Sequence, residues 1–365
     1  MLDGKCIELL FYKITYLWDL LYEIMVKNSR IGILAGGNWI LDFIKMIDVY
    51  PNENALANII SQNSGNGGAP FNVLKAIRKM DFSIPLEGVG VLGDDEFGDD
   101  ILDQCERLGL ETRQMKRLKG VETSFTDVMT VCSTGKRTFF HHRGANALLE
   151  EDDFDFEVSK AKFFHLGYLL LLDNLDRIHE DGLSGAAKVL RRAKEAGMIT
   201  SADIVSEQSD RYTEVIPSSL PFIDFLFINE LEAHNLTEIQ LLDADNVFLI
   251  SNGFKAAKKI LDMGVLSWVV IHFPNGALAL NKEGHQILQP CIKMPKKLVK
   301  GTVGAGDAFA AGVLAGMHEG WEMEASLQLG VNVAASSLMD NTASEAILPW
   351  MECLQLGNKF GYRKL

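Results

Sequence analysis

The sequence has few cysteines, few prolines and no P-loop. Among its 365 residues are five cysteines and nine prolines. Because five is an odd number and no Cys-x-x-Cys pair occurs, we expect reduced thiols in a cytoplasmic protein rather than a disulfide scaffold. No Gly-x-x-x-x-Gly-Lys-Ser/Thr segment and no internal repeat occur, so neither a P-loop enzyme nor a repeat architecture is expected.

Positive charge and long apolar runs are also scarce. Lysine and arginine number 35 against 49 acidic residues, which gives a net charge of −14. This balance argues against nucleic acid or an anionic membrane as the main partner. The longest uncharged stretch, 263–281, contains His272 and is interrupted by Pro274-Asn275-Gly276. It predicts a strand, a turn and a second strand rather than a membrane span.

Residues 1–30 form an N-terminal extension with a helical pattern. Apolar residues recur there at steps of three and four, namely Ile7, Leu10, Ile14, Leu17, Leu21 and Ile24. Charged residues interrupt the pattern, so it does not predict a secretory signal. Two interpretations stay open: an amphipathic helix that packs on the domain or a partner, or a translation start at Met25.

From Ile31 onward, short apolar runs alternate with helical patterns. The predicted strands are 31–35, 88–92, 163–168, 222–228 and 268–271, and the predicted helices are 72–80, 99–108, 184–196, 256–263 and 308–318. This alternation predicts an α/β fold with a largely parallel sheet and helices on both faces. Two stretches, about 43–64 and 120–143, have extended patterns without a helix. We expect them to form a small separate sheet, in which the second stretch is a hairpin around Gly135.

The segment 300–309 carries the strongest functional signal. Gly304-Ala305-Gly306 precede Asp307, and an apolar helix follows at once. Small residues let backbone N–H groups converge, and the helix start adds its positive dipole end, so the segment predicts an anion site. A carboxylate beside such a site suits phosphoryl transfer to an alcohol, because it can accept the hydroxyl proton. On spacing alone, an ordinary helix N-cap explains the pattern equally well.

A second glycine-rich segment, 64–72, leads into another predicted helix. Gly67 and Gly68 permit close backbone approach to a ligand, and Asn72 offers a donor and an acceptor to hydroxyl groups. The alternative is a flexible loop that enters a helix with Pro70 near its start.

Together these segments resemble the motifs of the ribokinase-like (PfkB) sugar kinase family. Segment 301–307 resembles Asp-Thr-x-Gly-Ala-Gly-Asp, and segment 67–72 resembles the fructokinase-like Gly-Gly-Ala-Pro-x-Asn. Four further family motifs fit in order, at 37–44, 93–98, 144–147 and 229–232. The resemblance implies a three-layer α/β/α domain over residues 31–355, in which segments 43–64 and 120–143 form a small β-sheet lid that pairs two subunits into a homodimer.

The resemblance also implies roles for individual residues. Asp307 would be the general base, and Gly304, Ala305 and Gly306 would hold the γ-phosphoryl group of ATP. Substrate contacts would come from Asn38, Asp42, Gly67, Gly68, Asn72 and Arg143. Nucleotide contacts would come from Asn229, His272, Gly276 and Asn332, and Glu232 would organise Mg²⁺ through water.

Three positions depart from the family pattern. Gly301 replaces an Asp that commonly helps to hold a monovalent cation, which puts potassium activation in doubt. The segment 272–276 is one residue shorter than the family's Thr-x-Gly-x-x-Gly, so the nucleotide site is altered. Asn38 replaces a Glu and changes or removes one sugar contact. None of these departures removes the base or the anion site.

The sequence thus predicts a cytoplasmic, ATP-dependent, Mg²⁺-requiring carbohydrate kinase. No lysine stands at Ala69 or Pro70, which favours an unphosphorylated sugar or sugar acid. A nucleoside kinase of the same fold and a non-catalytic sugar or nucleotide sensor stay open as alternatives. A dinucleotide-binding enzyme is disfavoured, because the Gly-x-G-x-x-Gly at 88–93 lies in a predicted strand rather than between a strand and a helix.

Overall fold

The computed structural model describes residues 30–207, 209–340 and 342–365. The helix predicted within residues 1–30 lies outside these described residues, apart from Arg30. The strands are β1 Ile33–Gly37, β2 Ile40–Ile47, β3 Ile59–Gly67, β4 Leu86–Gly93, β5 Glu111–Leu118, β6 Phe125–Val131, β7 Arg137–His142, β8 Phe163–Leu169, β9 Ile199–Ile204, β10 Phe225–Asn229, β11 Trp268–Phe273, β12 Gly276–Asn281 and β13 Gln286–Pro290. The helices are α1 Ala69–Lys79, α2 Glu96–Arg107, α3 Asp173–Asp176, α4 Gly185–Glu195, α5 Glu230–Thr237, α6 Ile250–Asp262, α7 Ala305–His318, α8 Met323–Ser337 and α9 Trp350–Phe360.

The main sheet has nine strands in the order β13-β12-β11-β10-β9-β8-β1-β4-β5. In this order, all neighbouring strands from β11 to β5 pair in parallel. Strands β12 and β13 add an antiparallel edge next to β11. The central strands are apolar at nearly every position because helices cover both of their faces. The prediction of a largely parallel sheet is therefore confirmed, and the strand–turn–strand expected at 263–281 is the β11–β12 hairpin.

Helices α4, α5 and α6 pack on one face of this sheet, and α1, α2, α7, α8 and α9 pack on the other. Neighbouring residues of one strand alternate between the two layers, as Phe163 and Phe164 do in β8. The domain is therefore a three-layer α/β/α sandwich, as expected. Among the residues with described coordinates, no helix combines the length and apolar character needed to cross a bilayer.

A second sheet of four strands, in the order β3-β2-β6-β7, stands beside the main one. Strand β2 pairs antiparallel with β3 and parallel with β6, and β6 and β7 form an antiparallel hairpin around Gly135. Because β2 follows β1 after only two residues, this sheet projects from the carboxyl edge of the main sheet. We call it the lid.

Four helices, α1, α2, α6 and α7, begin earlier than the sequence pattern predicted, and two of these starts bear on the site. Helix α1 begins at Ala69 instead of residue 72, because Pro70 fits the first helical turn. Helix α7 begins at Ala305 instead of residue 308, because Gly304 adopts a φ of 66° and lets the chain turn directly into the helix. The first turn of α7 therefore includes Gly306 and Asp307.

The Gly-x-Gly-x-x-Gly of residues 88–93 lies inside β4, and α2 begins only at Glu96. A Cβ atom on Gly88 or Gly90 would come within 2.8 or 2.4 Å of the Trp39 ring. Trp39 is fully buried and donates from Nε1 to the carbonyl of Val89 at 2.9 Å. The glycines thus make room for a core indole, which explains the motif without a dinucleotide.

Candidate active site

A cavity of about 850 Å³ lies between the lid and the carboxyl ends of the parallel strands. Ligands of open α/β sheets bind at this edge, where strand ends and the following loops converge. The lid contributes Asp42, Thr126, Arg137 and His141 to the wall, the main strands contribute Tyr168, Asp203, Asn229 and His272, and α7 with its preceding loop contributes 302–307. Most of the predicted site residues therefore meet in one place.

Asp307 lies in the first turn of α7 and is only 5% exposed. Its Oδ2 accepts a hydrogen bond from Asn72 Nδ2 at 2.8 Å. The Tyr168 hydroxyl donates to Oδ1 at 2.8 Å and to Oδ2 at 2.9 Å. Burial and the charge of Asp203 raise the pKa of Asp307 to about 6, against the two donors that lower it. A carboxylate with such a pKa is ionised at neutral pH and is a suitable general base.

The glycines beside Asp307 let the backbone adopt the close-packed conformation of the anion site. A Cβ on Gly304 would lie 2.5 Å from the Cβ of Ala343, and its positive φ also favours glycine. A Cβ on Gly306 would lie 3.3 Å from the His272 ring. The first N–H groups of α7 have no partner within a helix, so they can bind an anion between Gly304 and Asp307.

Asp42 of the lid strand β2 faces Asp307 across the cavity. Burial and the charge of Asp307 raise the pKa of Asp42 to about 7, although a hydrogen bond from Thr126 opposes this shift. A Cβ on Gly67 would lie 2.0 Å from Asp42 Oδ2, and one on Gly68 would lie 1.9 Å from the carbonyl oxygen of Asn38. Gly67 therefore leaves room for the Asp42 carboxylate, and Gly68 leaves room for the Asn38 carbonyl. Gly68 lines the cavity, whereas Gly67 does not.

Besides Gly67, two further predicted contacts, Asn38 and Asn332, line neither this cavity nor the smaller one that adjoins it. Asn38 is fully buried; its Nδ2 donates to the carbonyl of Leu171 at 3.0 Å, and its Oδ1 accepts from the backbone N–H of Tyr168. Asn332 donates to the carbonyl of Gln328 at 2.7 Å and accepts from Gly357 N at 3.2 Å, which ties α8 to α9. These amides therefore support the backbone in the structure, and the expected sugar contact of Asn38 and nucleotide contact of Asn332 stay predictions.

Asn229 and Glu232 form a capping box at the start of α5. Asn229 Oδ1 accepts from the backbone N–H of Glu232 at 2.9 Å, and Glu232 Oε2 accepts from Asn229 N at 2.8 Å. Glu232 Oε1 also accepts from Asn229 Nδ2 at 2.7 Å and from Ser206 Oγ at 2.6 Å. Burial raises the pKa of Glu232 to about 8. With both oxygens engaged, Glu232 fits a contact to a metal-bound water better than direct coordination.

A second cavity of about 570 Å³ adjoins the first and shares Asn229, His272, Thr302, Ala305 and Gly306 with it. Its wall is mostly apolar and includes Gly276, Phe309, Val331, Leu338 and Arg363. Burial lowers the pKa of His272 to about 4, so this imidazole is neutral. An apolar slot next to an anion site suits a ligand with a flat ring and phosphate groups. Within the described ranges, no group of three or more His, Cys, Asp or Glu residues is arranged to hold a metal.

Two arginines bring positive charge to an otherwise acidic cavity. Arg143 lies 3.3 Å from Asp173 Oδ1 and 3.7 Å from Glu207 Oε2, so its charge is largely compensated. Arg137 projects from the lid strand β7 and donates from Nη2 to the Thr302 hydroxyl, just before the anion site. Its Nη1 is buried and has no hydrogen-bond partner among the described residues.

Unpartnered polar atoms cluster on the wall of the larger cavity. Counting only contacts within the described ranges, Asn72 Oδ1, Arg137 Nη1, His141 Nε2 and Asp203 Oδ1 are buried without a hydrogen-bond partner. Such a group costs about 1–3 kcal/mol when it stays unpaired, so a cluster of them marks a place for a polar ligand. His142, in contrast, is exposed next to Glu122, so the adjacent side chains of His141 and His142 point to opposite sides of the lid sheet.

Sequence reasoning missed Tyr168, Asp203 and Arg137. Tyr168 closes a predicted strand, and its position at a carboxyl strand end was the available signal. Asp203 is the penultimate residue of β9, a strand that the pattern did not predict because Thr200 and Ser201 interrupt its apolar run. Arg137 follows the Gly135 turn of the lid hairpin, and only the tertiary structure brings it to Thr302.

This fold is that of the ribokinases. The structure of the Arabidopsis thaliana ribokinase complexed with ribose and ATP superposes with a TM-score of 0.72 at 23% sequence identity, covering 90% of this chain and 98% of that one. The chain is therefore a ribokinase-like α/β protein with a buried carboxylate beside a helix N-terminus.

Sequence relatives narrow this class. "Probable fructokinase-6, chloroplastic" of Arabidopsis thaliana is 30% identical over 290 residues, which cover 77% of this chain and 69% of that protein. The 5-dehydro-2-deoxygluconokinase of Clostridium perfringens is 24% identical over 339 residues, covering 90% and 93%. The profile of the pfkB family carbohydrate kinases matches residues 43–351. The chain belongs to this family of carbohydrate kinases, and the resemblance drawn from its motifs is confirmed.

Proposed function

We propose that the protein transfers the γ-phosphoryl group of ATP to a hydroxyl of an unphosphorylated sugar or sugar acid, with Asp307 as the general base. One observation carries this proposal: the buried carboxylate of Asp307, with its pKa raised to about 6, lies beside the N-terminus of α7 in a cavity lined by unpartnered polar atoms of the described residues.

The reaction needs one proton acceptor and one site for developing negative charge. The sugar hydroxyl donates to Asp307 and loses its proton as its oxygen bonds to the γ-phosphorus; the bond from this phosphorus to the bridging oxygen breaks, and ADP leaves. Backbone N–H groups of 304–306 face the transferred group, where the helix dipole stabilises negative charge. Asn72 keeps the carboxylate in place through its 2.8 Å hydrogen bond.

The second cavity supports ATP as the donor. Its apolar wall suits the adenine ring, and it opens onto the anion site through Thr302 and Gly306. When bound with ATP, Mg²⁺ neutralises phosphate charge and keeps several waters. Asn229 and Glu232 would hold such waters, in keeping with the engaged oxygens of Glu232. Because Gly301 offers no carboxylate to a monovalent cation, we expect activity with sodium in place of potassium.

The acceptor groups that line the larger cavity favour a ligand with several hydroxyls. Asp42, Asn72 and Asp203 present acceptor atoms to the cavity, and the oxygens of Asn72 and Asp203 lack partners within the described part of the chain. The compensated charge of Arg143 favours a neutral sugar or a single carboxylate over a sugar phosphate. The relatives named for fructose and for a deoxygluconate fall within this class.

The lid has a part in catalysis and in assembly. Arg137 and His141 reach the cavity from the lid, so its closure would exclude water that competes with the sugar. Ile60 and Phe139 of the lid are 63% and 57% exposed, which supports a homodimer formed through this sheet. Light scattering of the purified protein tests this state. The described cysteines, Cys105, Cys132, Cys291 and Cys353, are free thiols, in keeping with a cytoplasmic protein.

The test is ADP release with Mg-ATP and a panel of fructose, 2-keto-3-deoxygluconate, 5-dehydro-2-deoxygluconate, ribose, adenosine and fructose 6-phosphate. Turnover on an unphosphorylated sugar or sugar acid, lost in Asp307→Asn, supports the proposal. Turnover on adenosine alone would make the protein a nucleoside kinase. Ligand-dependent melting shifts without ADP formation would make it a sensor.

A further inference from the structure

The carboxylate of Asp307 is held by two donors on different elements. Asn72 of α1 donates to Oδ2, and the Tyr168 hydroxyl of β8 lies 2.8 Å from Oδ1 and 2.9 Å from Oδ2. Each carboxylate oxygen accepts about two hydrogen bonds. The single phenolic proton is shared between the two oxygens, so Oδ2 accepts from Asn72 and from part of this shared bond, whereas Oδ1 has only its share and keeps more free acceptor capacity. Oδ1 is the atom that can take the proton of a substrate hydroxyl.

Tyr168 is itself fixed by the buried Asn38. The backbone N–H of Tyr168 donates to Asn38 Oδ1, and Asn38 Nδ2 donates to the carbonyl of Leu171. This amide thus bridges two positions of the chain at the end of β8. Its support fixes the backbone from which the phenol reaches Asp307.

We propose that Tyr168 is a positioning residue for phosphoryl transfer: its hydroxyl orients the Asp307 carboxylate so that Oδ1 faces the acceptor hydroxyl, and it stabilises the ionised form of that carboxylate. The inference rests on the proposed role of Asp307 as the base. None of the sequence motifs includes Tyr168.

Tyr168 remains a donor across the working pH range. Burial and the charges of Asp307, Asp203 and Asp42 raise the pKa of its phenol well above the ordinary value. The hydroxyl therefore cannot lose its proton to the base, and its hydrogen bond lowers the pKa of Asp307.

Other groups around Asp307 either raise or lower the pKa of its carboxylate. Asp203 of β9 raises the pKa of Asp307, and His165 of β8 lowers it. Asp42 of the lid faces Asp307 across the cavity. The neutral His272 of β11 lies against Gly306, which precedes Asp307 in the first turn of α7. Arg137, Arg143, Glu207 and Glu232 complete the charged wall. The substitution Tyr168→Phe alters none of these groups chemically, so it isolates the effect of the hydroxyl.

The experiment is the pH profile of kcat/KM for the wild type and for Tyr168→Phe, measured with the sugar that gives turnover. The acid limb of the wild type should lie near the Asp307 pKa of about 6. Without the phenolic donor the base becomes harder to ionise, and the limb should move up by about one to two pH units. A role limited to packing would lower activity at every pH and leave the limb in place.

Tyr362→Phe is the matched control. This substitution also removes one tyrosine hydroxyl. The hydroxyl of Tyr362 accepts from Gln328 Nε2 of α8, and Tyr362 lines neither cavity. Its acid limb should coincide with that of the wild type. If Tyr168→Phe does not fold, Tyr168→3-fluorotyrosine keeps the ring and makes the hydroxyl a stronger donor, so the limb should move to lower pH.

The outcomes separate this inference from the proposed function. An acid limb that stays at the wild-type pH in Tyr168→Phe or in the fluorinated protein overturns the role of Tyr168. If Asp307→Asn is inactive in the same experiments, the assignment of Asp307 as the base still stands. An Asp307→Asn variant with normal turnover overturns the base itself. An upward shift in Tyr168→Phe, with an inactive Asp307→Asn, supports both.

Discussion

Gly304→Ala separates two reasons for the glycine at the start of α7. Its φ of 66° is a left-handed conformation, which costs an L-residue about 1–2 kcal/mol. The new Cβ would also lie 2.5 Å from the Cβ of Ala343, closer than real Cβ contacts come. The substitution should therefore destabilise the protein by more than the conformational cost alone, because the Ala343 segment must move.

Gly320→Ala provides the control for this argument. Gly320 follows the other end of α7, has a φ of 78°, and has nothing within 4 Å of its Cβ position. It should lose only the conformational part, about 1–2 kcal/mol. Urea unfolding of both variants gives the difference, and turnover should fall in Gly304→Ala alone because the anion site shifts. Equal losses of stability, with normal turnover in both, would refute the reasoning.

Two further predictions concern charged groups. Arg137→Ala should lower kcat by about 10²–10³-fold, the usual effect of removing one donor to transition-state charge, whereas the exposed Arg113→Ala should not; equal steady-state kinetics for the two variants would contradict this. The pKa of Glu345 falls to about 2, because hydrogen bonds from Lys75 and Lys79 outweigh its partial burial. Its folded-state pKa is depressed, so its stabilisation should be present above the unfolded pKa of about 4.5 and vanish as pH falls towards 2. Melting of wild type and Glu345→Gln should therefore differ at pH 7 and converge near pH 2, and a constant gap would count against the ion pair.

The parallel sheet could be predicted because its central strands are buried on both faces. Strands such as β8 and β10 are short apolar runs, and helical patterns separate them along the chain. The site at the carboxyl edge followed from residues that share a local segment, such as Gly304 with Asp307. Local spacing determines that geometry, so the sequence alone contained it.

The remaining site residues depend on contacts between distant segments. Asp203 lies in a strand whose apolar pattern is interrupted by Thr200 and Ser201, and their hydroxyl groups donate to the backbone carbonyls of the distant Phe222 and Phe164. Asn38 stands at a motif position for a sugar contact, but its amide binds the backbone at Tyr168 and Leu171. Tyr168 itself meets Asp307 over a separation of 139 residues. Spacing along the chain could not reveal these partners.

The most direct test of the central claim is turnover of Asp307→Asn with saturating Mg-ATP and the sugar that the wild type phosphorylates. Asparagine keeps the shape of the side chain but cannot accept the proton. We predict a fall in kcat of about 10²–10⁴-fold, with ATP binding and the melting temperature retained. Near-normal turnover in this variant would contradict the account, because the hydroxyl proton would then leave without Asp307.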